Sequence, residues 1–263
     1  MLKEEVRFCG GSIFEGMLSV RTLIENEISF KDGVSENDRK IRQVLYDRER
    51  AKEKKNEFRW IQHRGDELGF EVLLCDREKI DSVTIGNTHG GLIAVCGDRN
   101  IPELTADKAL ENGFYVMLEG IEDPYNFGYA LRSLYAAGAD GVILGERNWM
   151  TAAGVVCRAS AGASERLSLF ISKNNAAMLM KSRGYKIVCA DLRDSVSLYD
   201  ADLKYPVFLI IGGEKRGISK GLLCQADIRV RIDYGREFAA SLSAASAATG
   251  VGYEVFRQNK RQP

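Results

Sequence analysis

The 263-residue sequence predicts an α/β fold, with a parallel sheet covered by helices on both faces. Three observations carry this. Apolar runs of strand length recur through the second half of the chain, helix-patterned stretches separate them, and the runs are continuously apolar rather than alternating. Strands buried on both faces read in this way, and parallel neighbours need crossover connections that are usually helical.

The elements follow in order. Ser12–Leu18 suggests a short amphipathic helix, Ile41–Tyr46 a strand, and the charged stretch 47–65 a helix. Apolar runs at Phe70–Leu74 and Gly91–Val95 read as strands, with a helical turn at Asp76–Ile80 between them. Polar residues and Pro102 between Asp98 and Asn112 mark a domain boundary. Beyond it, strands are expected at Phe114–Leu118, Gly141–Leu144, Lys186–Ala190 and Val207–Ile211. Helices are expected at Gly128–Ala137, near Thr151–Arg158 and Asn174–Ser182, and over a small-residue stretch from Ser241 to Arg257.

Composition narrows the classes. Lys+Arg and Asp+Glu are equal at 37 each, so positive charge for a polyanion must be local. No apolar run approaches the ~20 residues that span a bilayer, and Met1–Val6 lacks an apolar signal core. The expectation is a cytoplasmic protein with no membrane partner. Six scattered cysteines (Cys9, Cys75, Cys96, Cys157, Cys189, Cys224), without Cys-x-x-Cys spacing, read as small buried hydrophobes. They argue against a zinc site or a disulfide framework. His63 and His89 are far apart in sequence, so no metal is expected.

Three stretches, each after a strand, carry candidate chemistry. In Asp123-Pro124-Tyr125-Asn126-Phe127-Gly128, Asp-Pro forces a turn and Asn126 stands where a helix begins, as a candidate N-cap. Arg132 follows a turn and a half later. By itself this is equally a strand, a turn and a capped helix with Arg132 on a solvated face. In Gly212-Gly213-Glu214-Lys215-Arg216-Gly217, a strand runs into a glycine-rich turn that frees backbone N–H groups and admits a ligand closely. Neither a Walker loop nor a dinucleotide fingerprint fits it, and a simple tight turn stays open. The third stretch, Val230–Gly235 followed by the small residues 240–250, says only that a helix packs tightly, within the chain or at a subunit interface.

Taken together and in order, these stretches resemble the three motifs of the SpoU (TrmH) branch of the SPOUT RNA methyltransferases. Asp-Pro-x-Asn-x-Gly-x-x-x-Arg matches residues 123–132, and Gly-x-Glu-x-x-Gly matches 212–217. Ser241-Leu242 with Tyr253-Glu254 and Arg257-Gln258 matches the third motif, and Ala159–Ala163 looks like the family's Ser-x-Gly-Ala segment. Two positions depart from the pattern: Ser243 stands for the usual Asn, and Asp233 for the usual Pro.

The resemblance implies a domain over 113–263 closed by a deep trefoil knot, a topology almost absent elsewhere. It implies S-adenosyl-L-methionine as cofactor, held near Gly212, Gly213, Ile232, Leu242 and Ser243, and a homodimer formed through the C-terminal domain. Arg132 would steady the attacking ribose 2'-oxygen, with Asn126, Glu214 and Ser241 completing the catalytic set. The first 105 residues resemble, more weakly, an α/β/α substrate-binding domain similar to ribosomal proteins. Its basic stretch, including Arg39, Lys40, Arg42 and Arg50 with Tyr46, Phe58 and Trp60 interleaved, reads equally as an RNA-binding surface or as a solvated helix face with acids among the bases. The expected function is 2'-O-methylation of rRNA or tRNA. A non-catalytic RNA-binding protein that keeps the knotted scaffold is the alternative, motivated by Ser243 and Asp233.

Overall fold

The computed structural model describes residues 11–84, 88–145, 152–172 and 175–260. Cys9, Asn87, Thr151 and Asn174, which belong to segments read above, lie outside the described residues. Contacts divide the chain into two units, one of residues 1–100 with 148–166, the other of 101–147 with 167–263. Residues 152–166, which the sequence placed in the second domain, thus pack with the first unit.

The first unit is built on strands β1 (Ser12–Glu15), β2 (Ile41–Asp47), β3 (Glu71–Cys75) and β4 (Leu92–Cys96). They lie in the order β1-β4-β2-β3, with β2 parallel to β3 and β4 antiparallel to both β1 and β2. Helices α1 (Gly16–Lys31) and α3 (Lys55–Leu68) supply Val20, Leu23, Ile24 and Ile61 to a core with Phe14, Val44, Tyr46 and Ala94. Leu45, Ile93 and Val95, from the alternate positions of the same strands, pack with Ile80 of α4 (Arg77–Asp81). Side chains of opposite strand parity therefore feed two separate cores, which makes an α/β/α sandwich.

Two local expectations are corrected. Ser12–Glu15 is a strand, because pairing with Ile93–Cys96 overrides a weak helical pattern; Gly16, at φ +80°, turns the chain into α1. The charged stretch 47–65 is two helices, α2 (Arg48–Glu53) and α3, broken at Lys54 (φ −107°, ψ 50°).

Two short helices complete this unit, α6 (Ala153–Ala159) and α7 (Ala163–Arg166). Gly154 lies against the Ile13 carbonyl, and Gly162, at φ +85°, lies against Thr22 of α1. A β-carbon at either position would overlap those atoms. The approach buries Glu165, whose Oε2 sits 2.9 Å from Arg39 Nε and 3.0 Å from Asn37 Nδ2. Arg99 is buried as well and donates to the Ser164 carbonyl at 2.8 Å. Burial drives the Glu165 carboxyl upward, but Arg39, Arg99 and its hydrogen bonds outweigh this and hold it below the usual carboxylate value.

The second unit holds seven strands: β5 (Phe114–Glu119), β6 (Gly141–Leu144), β7 (Leu169–Ile171), β8 (Lys186–Ala190), β9 (Val196–Ser197), β10 (Val207–Gly212) and β11 (Ile228–Arg231). Their order is β7-β6-β5-β10-β8-β11-β9, and every pairing is parallel. One face carries Tyr115, Ile143, Ile187, Cys189, Phe208 and Ile210 against α8 (Ala176–Ser182) and α9 (Lys220–Leu223). Helices α5 (Pro124–Ala136) and α10 (Ala244–Asn259) pack on each other. Strand β10 also contacts α10, so Val207, Leu209 and Ile211 are buried too. This is why the strands read as unbroken apolar runs. Cys189 behaves as a core hydrophobe, its thiol pushed up to about 12 by burial; Cys224, unlike the other described cysteines, is exposed. Among the described residues no helix is long and apolar enough to cross a membrane.

Glu165→Gln removes the buried anion and leaves two buried guanidiniums without it, so it should destabilise the protein by about 3–5 kcal/mol. A carboxyl held below its usual value contributes stability above the unfolded pKa of 4.5, which is lost as pH falls through the folded value. Urea unfolding at neutral pH should show the full loss, and the difference between native protein and variant should shrink below pH ~4.5.

Candidate active site

The sheet reverses its winding at β5: β6 and β7 extend to one side, while β10, β8, β11 and β9 lie on the other. Ligand crevices of open parallel sheets form outside the carboxyl ends of the strands at such a point. A cavity of ≈ 270 Å³ lies at this carboxyl edge on the β10 side of the reversal, floored by Ala190, Ile211 and Val230 at the ends of β8, β10 and β11. Gly212, Gly213, Glu214 and Gly217 form one wall, Ile232 and Tyr234 a second, and Ser241, Leu242, Ala244, Ala247 and Val251 the side given by α10 and the residues before it.

The glycine wall has a specific cause. Gly213 N donates to the Glu119 carbonyl at 2.6 Å, and Gly217 N closes the turn on the Gly213 carbonyl at 2.8 Å. A β-carbon at Gly213 would overlap the Gly120 carbonyl, and one at Gly212 would overlap the backbone of Gly217. Gly217 has φ +61°, where L side chains are strained. Ser219 N donates to Glu119 Oε2 at 2.9 Å. The ends of β5 and β10 are thus strapped together by backbone contacts that leave no room for a side chain.

At the start of α5 the sequence reading is corrected. Asp123 is the N-cap, accepting from Asn126 N at 2.8 Å, with Pro124 in the first turn. Both residue types are favoured caps, and an Asp before a Pro meets the geometry first. Asn126 therefore keeps its side chain free, and Nδ2 donates to Glu214 Oε1 at 2.9 Å. The same oxygen accepts from Ala244 N, in the first turn of α10, at 3.4 Å. One carboxylate oxygen joins the glycine turn to the N-terminal ends of two helices, where the helix dipoles favour negative charge.

Of the residues singled out from sequence, Gly212, Gly213, Glu214, Ile232, Ser241 and Leu242 line the cavity. Asn126 reaches it through Glu214. Ser243 does not line it; its hydroxyl is the N-cap of α10, accepting from Ser246 N at 3.2 Å. The Leu242 backbone N–H donates to Tyr234 Oη at 3.2 Å. Arg132 is exposed on α5, outside the cavity lining. It falls on the same helix face as Tyr125 and Tyr129, at spacings of seven and three residues. Asp233 is held by Arg231 Nε at 3.0 Å and by the Ser197 hydroxyl, so its charge is balanced at the rim.

Sequence reasoning missed Asp191, Leu192 and Arg193, which line the cavity after β8. No spacing pattern marks them; only their place at the end of β8 brings them to the cavity. The tail residues after Glu254 are fasteners. Gln258 Oε1 accepts from Leu203 N at 2.8 Å and its Nε2 donates to the Ala201 carbonyl at 2.9 Å. Asn259 Oδ1 accepts from Tyr205 N at 2.9 Å, fixing the end of α10 to the segment before β10.

Fold and site together define an α/β protein with a glycine-walled, carboxylate-bearing pocket at the carboxyl edge of a parallel sheet. Its fold is similar to that of an AdoMet-bound rRNA methyltransferase from Sinorhizobium meliloti, with a TM-score of 0.75 at 21% identity over 94% of this chain and 87% of that one. The SpoU methyltransferase AviRb from Streptomyces viridochromogenes, solved with AdoMet, gives 0.72 at 22% identity over 94% and 89%. YacO of Bacillus subtilis, described as a TrmH family tRNA/rRNA methyltransferase, is 30% identical over 202 residues, 74% of this chain and 80% of its own. The 23S rRNA (guanosine-2'-O-)-methyltransferase RlmB of Shewanella oneidensis is 29% identical over 202 residues, 73% and 80% of the two chains. The SpoU rRNA Methylase family matches residues 113–253, and the chain belongs to that family.

Gly212→Ala, which forces a methyl into backbone, should cost about 1–3 kcal/mol or more by urea unfolding. Gly221→Ala, whose β-carbon meets open space, should stay within about 0.5 kcal/mol of the native protein. Equal effects of the two would show that the strap is slack.

Proposed function

We propose that this protein is an S-adenosyl-L-methionine-dependent RNA methyltransferase acting on a ribose 2'-hydroxyl of rRNA or tRNA. The observation that carries this is the Asn126–Glu214–Ala244 junction on the wall of the cavity, with the family's other motifs in register around it. The cavity suits the cofactor. Ile211, Ile218, Leu242 and Val251 give apolar surface for a purine, glycines admit close backbone approach, and Glu214 and Asp191 offer acceptors to hydroxyls and cationic groups. When bound, the cofactor supplies a methyl group already activated on a sulfonium, so the protein need not activate a leaving group.

The residues of the chain then have defined tasks. Glu214 holds Asn126 and α10 in place and puts negative charge beside the cationic donor. Ser241 offers a hydroxyl at the rim. Arg132 binds phosphate and stabilises the developing alkoxide electrostatically, and the hydroxyl proton passes to solvent.

Arg132 lies outside the cavity of its own chain, and a homodimer through the C-terminal domain gives it a site. Tyr125 and Tyr129 of α5, and Tyr253 and Phe256 of α10, are large apolar side chains left exposed on two packed helices. Gly252 brings those helices together, its missing β-carbon within 3.3 Å of Leu134 Cδ2. We assign this face to the subunit interface, with Arg132 at its edge. The second unit, residues 113–263, is the catalytic domain in this reading, its final segment knotted and pinned by Gln258 and Asn259. Residues 1–105 bind the RNA, and Arg21 and Arg64 stacked on Trp60 (5.5 and 6.0 Å to the ring centroid) form a cationic aromatic patch suited to it. The cytoplasm is the proposed location.

Arg132→Ala should lower methyl transfer to RNA by a factor of roughly 100 or more while S-adenosylhomocysteine binds with unchanged affinity by calorimetry. Retained transfer would remove Arg132 from the mechanism, and absent binding in the native protein would favour the non-catalytic RNA-binding alternative. Phe256→Arg should convert the dimer to monomers in sedimentation and abolish transfer together. A native protein that sediments as a monomer and still methylates RNA would refute the interface.

A further inference from the structure

The loop between β11 and α10 has a feature that holding the cofactor does not explain. Residues 235–242 are all exposed, yet at its apex stands Phe238, 62% exposed. The loop is not slack at its base. Tyr234 Oη accepts from Leu242 N at 3.2 Å, closing the loop, and both residues line the cavity. The Phe238 ring stands edge-on to Tyr234, 5.9 Å between centroids at 63°. One edge of the phenyl is therefore anchored to the cavity wall while a face stays open to solvent. Arg236, two residues earlier, is exposed with no ion pair among the described residues. Arg193, also exposed, lines the cavity on the β8 side. The acid within the loop is Glu237, and Asp233 at its base is already held by Arg231.

We propose that Phe238 is the stacking platform for the base of the nucleotide being modified, with Arg236 beside it for the adjoining phosphate. This rests on the reading of the cavity as a ribose-methylating site, and it names how that site selects its substrate. The chemistry supplies the distance. The base hangs from C1', the carbon next to the one bearing the attacking hydroxyl, so a ribose at the cavity mouth places its base within one sugar of the rim. An open aromatic face at that distance takes any base by stacking. A base can reach it only when splayed out of a helix, because bases within an A-form stem are already stacked on each other. The substrate class is therefore an unpaired nucleotide in a loop, bulge or single strand. A perfect duplex does not qualify.

The test uses the full-length protein and two probes, a twelve-residue oligoadenylate and its abasic counterpart with the same phosphates. Phe238→Trp should show saturable tryptophan quenching by oligoadenylate beyond that of the native protein, whose two tryptophans give the background. The abasic chain should leave it unquenched. Phe238→Ala should bind oligoadenylate about tenfold more weakly, the equivalent of ~1.4 kcal/mol for one lost stack, and the abasic chain as well as before. Its affinity for S-adenosylhomocysteine by calorimetry should not change. Equal binding of both probes, or no quenching up to 1 mM (about the weakest affinity worth calling a site), overturns the platform. So does a shift of Phe238→Ala from dimer to monomer in sedimentation, which would assign the phenyl to a second copy of the chain. Failure of the native protein to bind S-adenosylhomocysteine would instead overturn the reading of the cavity, and so separates the two.

Discussion

The site depends on the absence of side chains at Gly212 and Gly213. Two parallel strands end side by side, and a parallel ladder would normally splay as each chain leaves for its own loop. Here the turn after β10 folds back against Gly120 and Gly217 closely enough that a β-carbon would overlap backbone. That contact fixes where Glu214 emerges, and Glu214 fixes Asn126 and the start of α10 through one oxygen. Glycine is costly in conformational entropy, and the cost is accepted because no other residue allows this approach.

The first unit solves a different problem with polar groups. Helix α1 buries Ser19, Thr22, Asn26 and Glu27 among its apolar residues. Asn26 donates to the Asn37 carbonyl at 3.0 Å, and Glu27 accepts from Ile41 N at 3.1 Å. These bonds tie α1 to the connection that follows it, and the Arg39–Glu165 pair extends the same buried network to α7. Buried polar groups of this kind stabilise little relative to an apolar core, but they tolerate few alternative packings.

This contrast explains what could be read from the sequence. The central strands β5, β6, β8 and β10 are buried on both faces, so their apolar runs were plain. Strands β7, β9 and β11 were missed, being short and lying at or near the sheet edges, where burial no longer enforces a pattern. Helix α1 was seen only as a fragment because its buried face is half polar, and periodicity registers hydrophobicity rather than burial. In the site, the glycine turn and Glu214 were legible because close approach demands glycine. The division of labour between Asp123 and Asn126 was not, since either residue makes a good cap and only three-dimensional contacts decide which one does. Asp191 and Arg193 carry no spacing signal at all; their place at the end of a strand is what makes them part of the pocket.

The chain's path between its two units has a consequence for modularity. It crosses from one to the other three times, near residues 100, 147 and 166, so no single linker joins them. A fragment cut after the first hundred residues would carry Arg39 and Arg99 into its interior without their carboxylate partner, and a fragment starting there would carry α6 without β1 and α7 without α1. The two halves cannot be exchanged among relatives as independent cassettes. Recombination that replaces the first unit must also bring residues 152–166, which couples the inheritance of that unit to a segment embedded in the sequence of the second.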